Sequence, residues 1–375
     1  MIRRVGAALL TTLVVVLAVA AHARADLESS HAAPQGPCAP PALGFGDGEG
    51  LNDPRLPPTT GTLRAAMLFV DFADSPGVDS PGSVYQAYAP ALSAWVRSVS
   101  YGRLELSVVP VLRWLRLPRT LAEYEESHFG GAVEAAVATA GVGPVNALYL
   151  VPSMDALAST IVDHDPLRVG GAEIHAWSWV ARGSLERLGS QVLIHETGHV
   201  LGLPDLYLSG VASSRHVWDV MTSGPGAGLF AWHRWKLGWL DRDQVVCLTR
   251  RGSVQARLQP VESRGGTKAI VVRLARAVVV AEVRQRIAED RRLCAKGVLF
   301  YRVDFAGAPG PEGGSVNPVR LLQARAGSSQ RCGSSWRAAF DLGSGHVSRA
   351  RAWGVALRVV RAHADGSYTV RLTRT

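Results

Sequence analysis

His195-Glu196-Thr197-Gly198-His199-Val200-Leu201-Gly202-Leu203-Pro204-Asp205 is the stretch on which the reading of this chain turns. On a helix, residues i and i+4 lie on one face, so His195 and His199 can offer two imidazoles to a single point. Glu196 stands beside them, where its carboxylate can reach a water held at that point. The neighbours Val192, Leu193, Ile194, Val200 and Leu201 are apolar, which predicts a helix buried except at the site. Gly202 can end that helix with a sharp turn, Pro204 stiffens the return, and Asp205 can then bring an oxygen to the same point. Two nitrogens and one carboxylate oxygen leave a fourth tetrahedral position open, the pattern of a catalytic rather than a structural Zn2+ site. Zinc lowers the pKa of a bound water to about 7, and Glu196 is placed to act as general base.

Outward from this motif, apolar spacing predicts a strand over 64–72 and a helix over 84–99 with Tyr88, Leu92, Trp95 and Val99 on one stripe. Strands broken by Pro110 are expected over 104–117, a helix over 132–140, and strands over 147–151 and 174–180. A single helix is expected from about Ser184 to Leu201. The strand 174–180 just before it could pair with an extended substrate, with Trp177 and Trp179 on one face. After Trp239 the texture becomes Val-, Arg- and Gly-rich at strand lengths, as in 269–274, 278–283, 298–303, 355–360 and 368–372. The expected organisation is a signal peptide over 1–25, a Gly/Pro/Ala-rich linker or pro-segment over 26–61, an α+β domain over 62–245 and a mostly β domain over 246–375.

The N-terminus has the anatomy of an export signal: Arg3 and Arg4, an apolar run from Val5 to Ala21, then two A-x-A patterns near residues 23 and 25. The expectation is a secreted protein with no stable membrane association after cleavage. The chain of 375 residues carries a formal charge of +9, which invites a nucleic-acid partner. Losing Arg3, Arg4 and Arg24 with no acid reduces +9 to +6. The remaining arginines, Arg349 and Arg351 among them, are scattered along the sequence, so nucleic acid is not the expected partner and the charge reads as a solubility property. Cys38, Cys247, Cys294 and Cys332 permit two disulfides, with Cys294–Cys332 and Cys38–Cys247 the favoured pairing. The competing idea is a Cys38 thiolate that blocks a catalytic metal.

The run from His195 to Asp205, followed by Tyr207, resembles the active-site signature of secreted zincin proteases of the metzincin type, and is very similar to that of the snapalysin family. Met221 in Asp219-Val220-Met221-Thr222 is similar to the methionine turn beneath the metal in that clan. A wider resemblance is to the immune-inhibitor-A family of secreted metalloproteases, through Gly202-Leu203-Pro204-Asp205-Leu206-Tyr207, Trp218 to Gly224, and Ala231-Trp232 with Leu237-Gly238-Trp239. Ser100 to Leu104, Glu282 to Gln285 and Gly297 to Asp304 extend it.

The resemblance implies a zincin-like fold, a zinc-dependent endopeptidase acting on proteins or peptides as a monomer, Glu196 as catalytic base, and His195, His199 and Asp205 as ligands. His233 sits where relatives often carry Glu and is the alternative third ligand. Tyr207 is a candidate oxyanion donor or a packing aromatic, His164 and His175 are ordinary polar or cleft residues, and Asp163-His164-Asp165 is a weaker second-metal candidate. Two other functions share these residues: a non-catalytic zincin-like binding or adhesion module, and a zinc hydrolase of a non-peptide amide or ester.

Overall fold

The computed structural model describes residues 34–41, 50, 56–127, 129, 131–155, 158–169, 171–207, 217–222, 228–305, 317–324, 338–342 and 348–375. The export signal expected over 1–25 and Cys332 lie outside them, as do the side chains of Asp163, His164 and Asp165. The chain is α+β with mixed sheets.

The first part runs β1 (Gly61–Asp71), α1 (Pro81–Val99), β2 (Leu104–Arg116), α2 (Leu121–Glu126), α3 (Ala132–Ala140), β3 (Ala147–Pro152), β4 (Ser159–Val169), β5 (Ala172–Trp179), α4 (Arg182–Leu188), α5 (Ser190–Val200) and α6 (Ala231–Lys236). Its five-stranded sheet has the order β2-β1-β3-β5-β4, parallel except for β4, which is antiparallel to β5. Both faces of β1 are covered, which accounts for its unbroken apolar run. Leu63, Met67 and Phe69 join Leu92 of α1 and Leu193 of α5 in one core. Ala66, Leu68 and Val70 pack with Tyr124 of α2 and Val133 and Val137 of α3 in another.

The second part adds β6 (Val245–Leu248), β7 (Gly252–Leu258), β8 (Ala269–Arg273), β9 (Ala277–Arg284), β10 (Gly297–Asp304), β11 (Val319–Leu321), β12 (Arg349–Ala352), β13 (Val355–Ala362) and β14 (Tyr368–Arg374). One sheet has the order β11-β10-β9-β8-β6 and the other β12-β13-β14-β7. Strand β9 is buried throughout because both of its faces are packed. Val278 and Val280 belong to the core shared with α5 and α6, while Val279, Ala281 and Val283 face Leu357, Val370 and Leu372 of the outer sheet. The apolar core therefore runs without a break across position 245.

Three local expectations change. The helix expected from Ser184 to Leu201 is two helices jointed at Gly189, whose φ of 63° suits a residue without a Cβ. Strand β2 continues through Pro110, because β2 is an edge strand and its proline interrupts no interior ladder. Strand 174–180 is not a free edge: β5 lies between β3 and β4, and Trp177 and Trp179 pack toward α2 and α3. The favoured Cys38–Cys247 pairing is present, with Cα atoms 5.8 Å apart, and it rules out the competing Cys38 thiolate. Cys294 is also disulfide-bonded.

Candidate metal centre

Helix α5 carries His195 and His199 on its half-buried side and the buried Glu196 next to them, against β4. It ends as the motif predicts: Gly202 has φ of 82°, its N–H donates to His199 O at 2.8 Å, and Leu203 N–H donates to Gly198 O at 2.9 Å. The chain then reverses and brings Asp205 back over the helix. His195 Nε2 and His199 Nε2 lie 3.2 and 3.3 Å from the same oxygen, Asp205 Oδ1.

The outer nitrogens fix the rings. His195 Nδ1 donates to Val220 O and His199 Nδ1 donates to Leu203 O, each at 2.9 Å. A carbonyl only accepts, so Nδ1 carries the proton and each Nε2 lone pair points inward. Two inward lone pairs facing one carboxylate oxygen repel unless a proton or a cation stands among them. Burial works against charge on His195, yet the contacts with Asp205 and Val220 O raise its pKa overall. Burial alone would also raise Asp205, but the two imidazoles hold its carboxyl well below the usual carboxylate range.

The donor set fits zinc. Donors about 2.0–2.1 Å from a common tetrahedral centre stand about 3.3 Å from one another, and the two His–Asp separations match that spacing. Among the described residues these three are the only group of His, Cys, Asp or Glu side chains gathered closely enough to hold a metal ion.

Glu196 is almost fully buried beside the pair. Its Oε2 accepts from Thr160 Oγ1 at 2.5 Å, and Thr160 Oγ1 is 2.8 Å from Ser178 Oγ. Strand β4 thus fixes one oxygen of this carboxylate. The Tyr207 ring stands 6.1 Å from that of His195, and burial pushes its phenol up to about 12. Below the helix, Met221 packs on Gly198: a Cβ at residue 198 would overlap Met221 Sδ and come within 3.1 Å of its methyl.

His233 is elsewhere. It is fully buried, and its Nδ1 donates to Asp219 Oδ2 at 2.8 Å. Asp219 also accepts from Met221 N at 2.9 Å and Phe230 N at 2.7 Å, so one carboxylate ties the turn carrying Val220 to the start of α6. Burial disfavours this charge, but His233 and the backbone donors hold its pKa below the ordinary value. Sheet β8–β10 grips the same helix start, with Ala231 N and Tyr301 OH donating to Glu282 Oε2 at 2.7 and 2.6 Å. Lys236 Nζ of α6 donates to Gly202 O at 2.9 Å and pins the turn between His199 and Asp205.

Sequence spacing found the three donors and Glu196, but not Thr160, Asp219, Glu282 or Lys236, which reach the site only through tertiary contacts. Asp219 left a trace two residues before Met221. His175 lies apart from the centre, lining an open cavity of about 580 Å³ with Arg64, Asn146 and Glu173. A scan against protein-family models finds no match, and a search of curated proteins finds none either.

Proposed function

We propose that this protein is a secreted zinc-dependent endopeptidase with a zincin-like catalytic unit of the immune-inhibitor-A type. The carrying observation is the convergence of His195, His199 and Asp205 around one point, with both imidazoles held in the inward-facing tautomer and a buried carboxylate alongside. A bound zinc ion supplies Lewis acidity and a water of lowered pKa. Glu196, with Oε2 held by Thr160, has Oε1 to take a proton from the attacking water and return it to the departing amine. Strand β4 is the outermost strand on this side of its sheet and reaches Glu196 through Thr160. An extended peptide can therefore add to the β4 edge and pass the site. The Cys38–Cys247 disulfide supports an oxidising compartment.

The test combines metal analysis with casein and peptide hydrolysis. About one zinc per chain, loss of activity with chelator, and an inactive Glu196→Ala that keeps its zinc are expected. Asp205→Ala should lose the metal, whereas His233→Ala should still bind it once folded. Zinc binding with no turnover on a broad peptide library would instead make the protein a binding module. Hydrolysis confined to non-peptide amides or esters would change the substrate class while keeping the water chemistry.

A further inference from the structure

The outward face of the sheet β12-β13-β14-β7 gathers arginines that are far apart in sequence. Its inward residues, Leu357, Val359, Val370 and Leu372 among them, face the β8–β10 sheet. The alternate positions point to solvent, and the register lines them up. Arg349 is opposite Arg358, Arg358 is opposite Arg371, and Arg371 is opposite Gln255. Arg351 lies two residues from Arg349 on β12. Arg361, beyond a register shift on β13, is opposite Thr369 on the same face. All five arginines are exposed.

At about 4.8 Å between strands, three guanidinium stems stand within roughly 10 Å of one another. Like charges directly opposite each other destabilise a sheet, and the row's one cross-strand bond, the exposed Arg371 Nε to Gln255 Oε1 at 3.0 Å, does little to offset that. Acid does not compensate it. Residues 349–375 contain six arginines and one acid, Asp365, which is paired with Arg257. Among the described residues, Arg349, Arg351, Arg358 and Arg361 have no ion-pair partner.

We infer that this face is a docking surface for an anionic lipid bilayer, with the arginines seated on headgroup phosphates. The charges are spread in two dimensions, three across the strands and two displaced along them. A plane of phosphates meets all five, whereas a single threadlike polyanion meets one row. Between the arginines the face carries Ser253, Gln255, Ala356, Thr369 and Thr373, with the Arg257–Asp365 pair and the His363 ring, bonded to Thr369 Oγ1 at 2.9 Å, at one end. Among the described residues it has no Trp, Tyr or Phe ring on which a base could stack, its one imidazole, His363, being tied to Thr369 Oγ1, and no helix or protruding ribbon to enter a DNA groove. It also has no large apolar side chain to insert into hydrocarbon, so the attachment is electrostatic and reversible. Guanidinium suits phosphate because it donates two parallel hydrogen bonds.

The test is co-sedimentation of the full chain with vesicles of phosphatidylcholine alone or mixed with phosphatidylglycerol. Binding is expected only to the mixed vesicles. It should disappear between about 0.1 M and about 1 M salt, as the screening length falls from about 10 to about 3 Å. At about fivefold per arginine, the triple variant Arg349→Ser, Arg358→Ser, Arg371→Ser should bind on the order of a hundredfold more weakly. That variant should melt no lower than the wild type, because a repulsive row is removed. If it does melt lower, the corresponding lysine triple decides, since it keeps the charge and must keep the binding. Equal binding to neutral vesicles, or equal binding by the serine triple, overturns the inference. So does duplex DNA that displaces the protein from vesicles and depends on the same arginines, which would make the face a nucleic-acid site.

Discussion

Gly198→Ala is the substitution that asks most directly whether the turn around Met221 supports the metal helix. In an ordinary helix interior, alanine is more favourable than glycine by about 1 kcal/mol. Here the new methyl would overlap Met221 Sδ, and Met221 is fully buried, so its side chain would have to shift within the core. Overpacking of this kind costs about 1–3 kcal/mol, so the usual gain should be cancelled or reversed. Met221→Ala alone opens a cavity and should cost about 2–5 kcal/mol. In that background the overlap is gone, and Gly198→Ala should recover its ordinary gain of about 1 kcal/mol. The assay is thermal unfolding of the metal-free protein in all four combinations, at roughly 2–4 °C per kcal/mol. A coupling of about 1–3 kcal/mol is expected, with the effect of Gly198→Ala changing from neutral or harmful to favourable. The same displacement would disturb Val220 O, the acceptor for His195 Nδ1, so zinc affinity should fall by about 10–100-fold in Gly198→Ala. Gly198→Ala raising the melting temperature equally in both backgrounds would refute the packing described for the turn.

Thr160→Val should lower kcat about tenfold or more with little change in KM or zinc content, and Thr160→Ser should restore it. A double-mutant cycle with Glu196→Gln on metal-free stability reads the contact without turnover, and zero coupling would sink it. Asp71 accepts both Arg116 bonds at 2.8 Å, and these hold its pKa below the ordinary value. A depressed carboxylate contributes stability above its unfolded pKa of about 3.9 and loses it as pH falls through the folded value. Asp71→Asn should therefore cost on the order of 1 kcal/mol at neutral pH, discounted for the half-exposed Arg116. The gap should close in strong acid, and a gap independent of pH would show the ion pair irrelevant. Cys38 and Cys247 are 209 residues apart, for which loop entropy gives about 5 kcal/mol. Cys38→Ser with Cys247→Ser should melt many degrees lower, and an unchanged melting temperature would count against the tether.

Legibility in the sequence followed the range over which each signal acts. The turn from His199 to Asp205 is fixed by neighbours, chiefly Gly202 and Pro204, and was readable. Strand β1 was readable too, because burial on both faces demands a continuous apolar run. Strand β4 was not: its middle, Asp163-His164-Asp165-Pro166, has the composition of a loop, and the pairing with β5 shifts register between Val162 and Leu167, an irregularity that an edge strand tolerates. The joint at Gly189 was hidden because the helical spacing runs straight past it. The arginine face was invisible for another reason. Each strand contributes one or two arginines at intervals that look random along the chain, and only the register places Arg349, Arg358 and Arg371 abreast. Likewise, no spacing rule connects Thr160 to Glu196 or Glu282 to Ala231, since each contact crosses between elements that must first be packed.

The bond between Cys38 and Cys247 also changes what cleavage can do to this molecule. Covalently, the chain from 38 to 247 is a ring that contains β1 through α6 and every residue of the metal centre. A single cut anywhere in that ring opens it but releases nothing, and the two pieces travel as one molecule until a reductant separates them. Trimming from the N-terminus can shed residues only as far as 37. The segment over 26–61 that reads in the sequence as a linker or pro-segment is, from Cys38 onward, tied covalently to position 247.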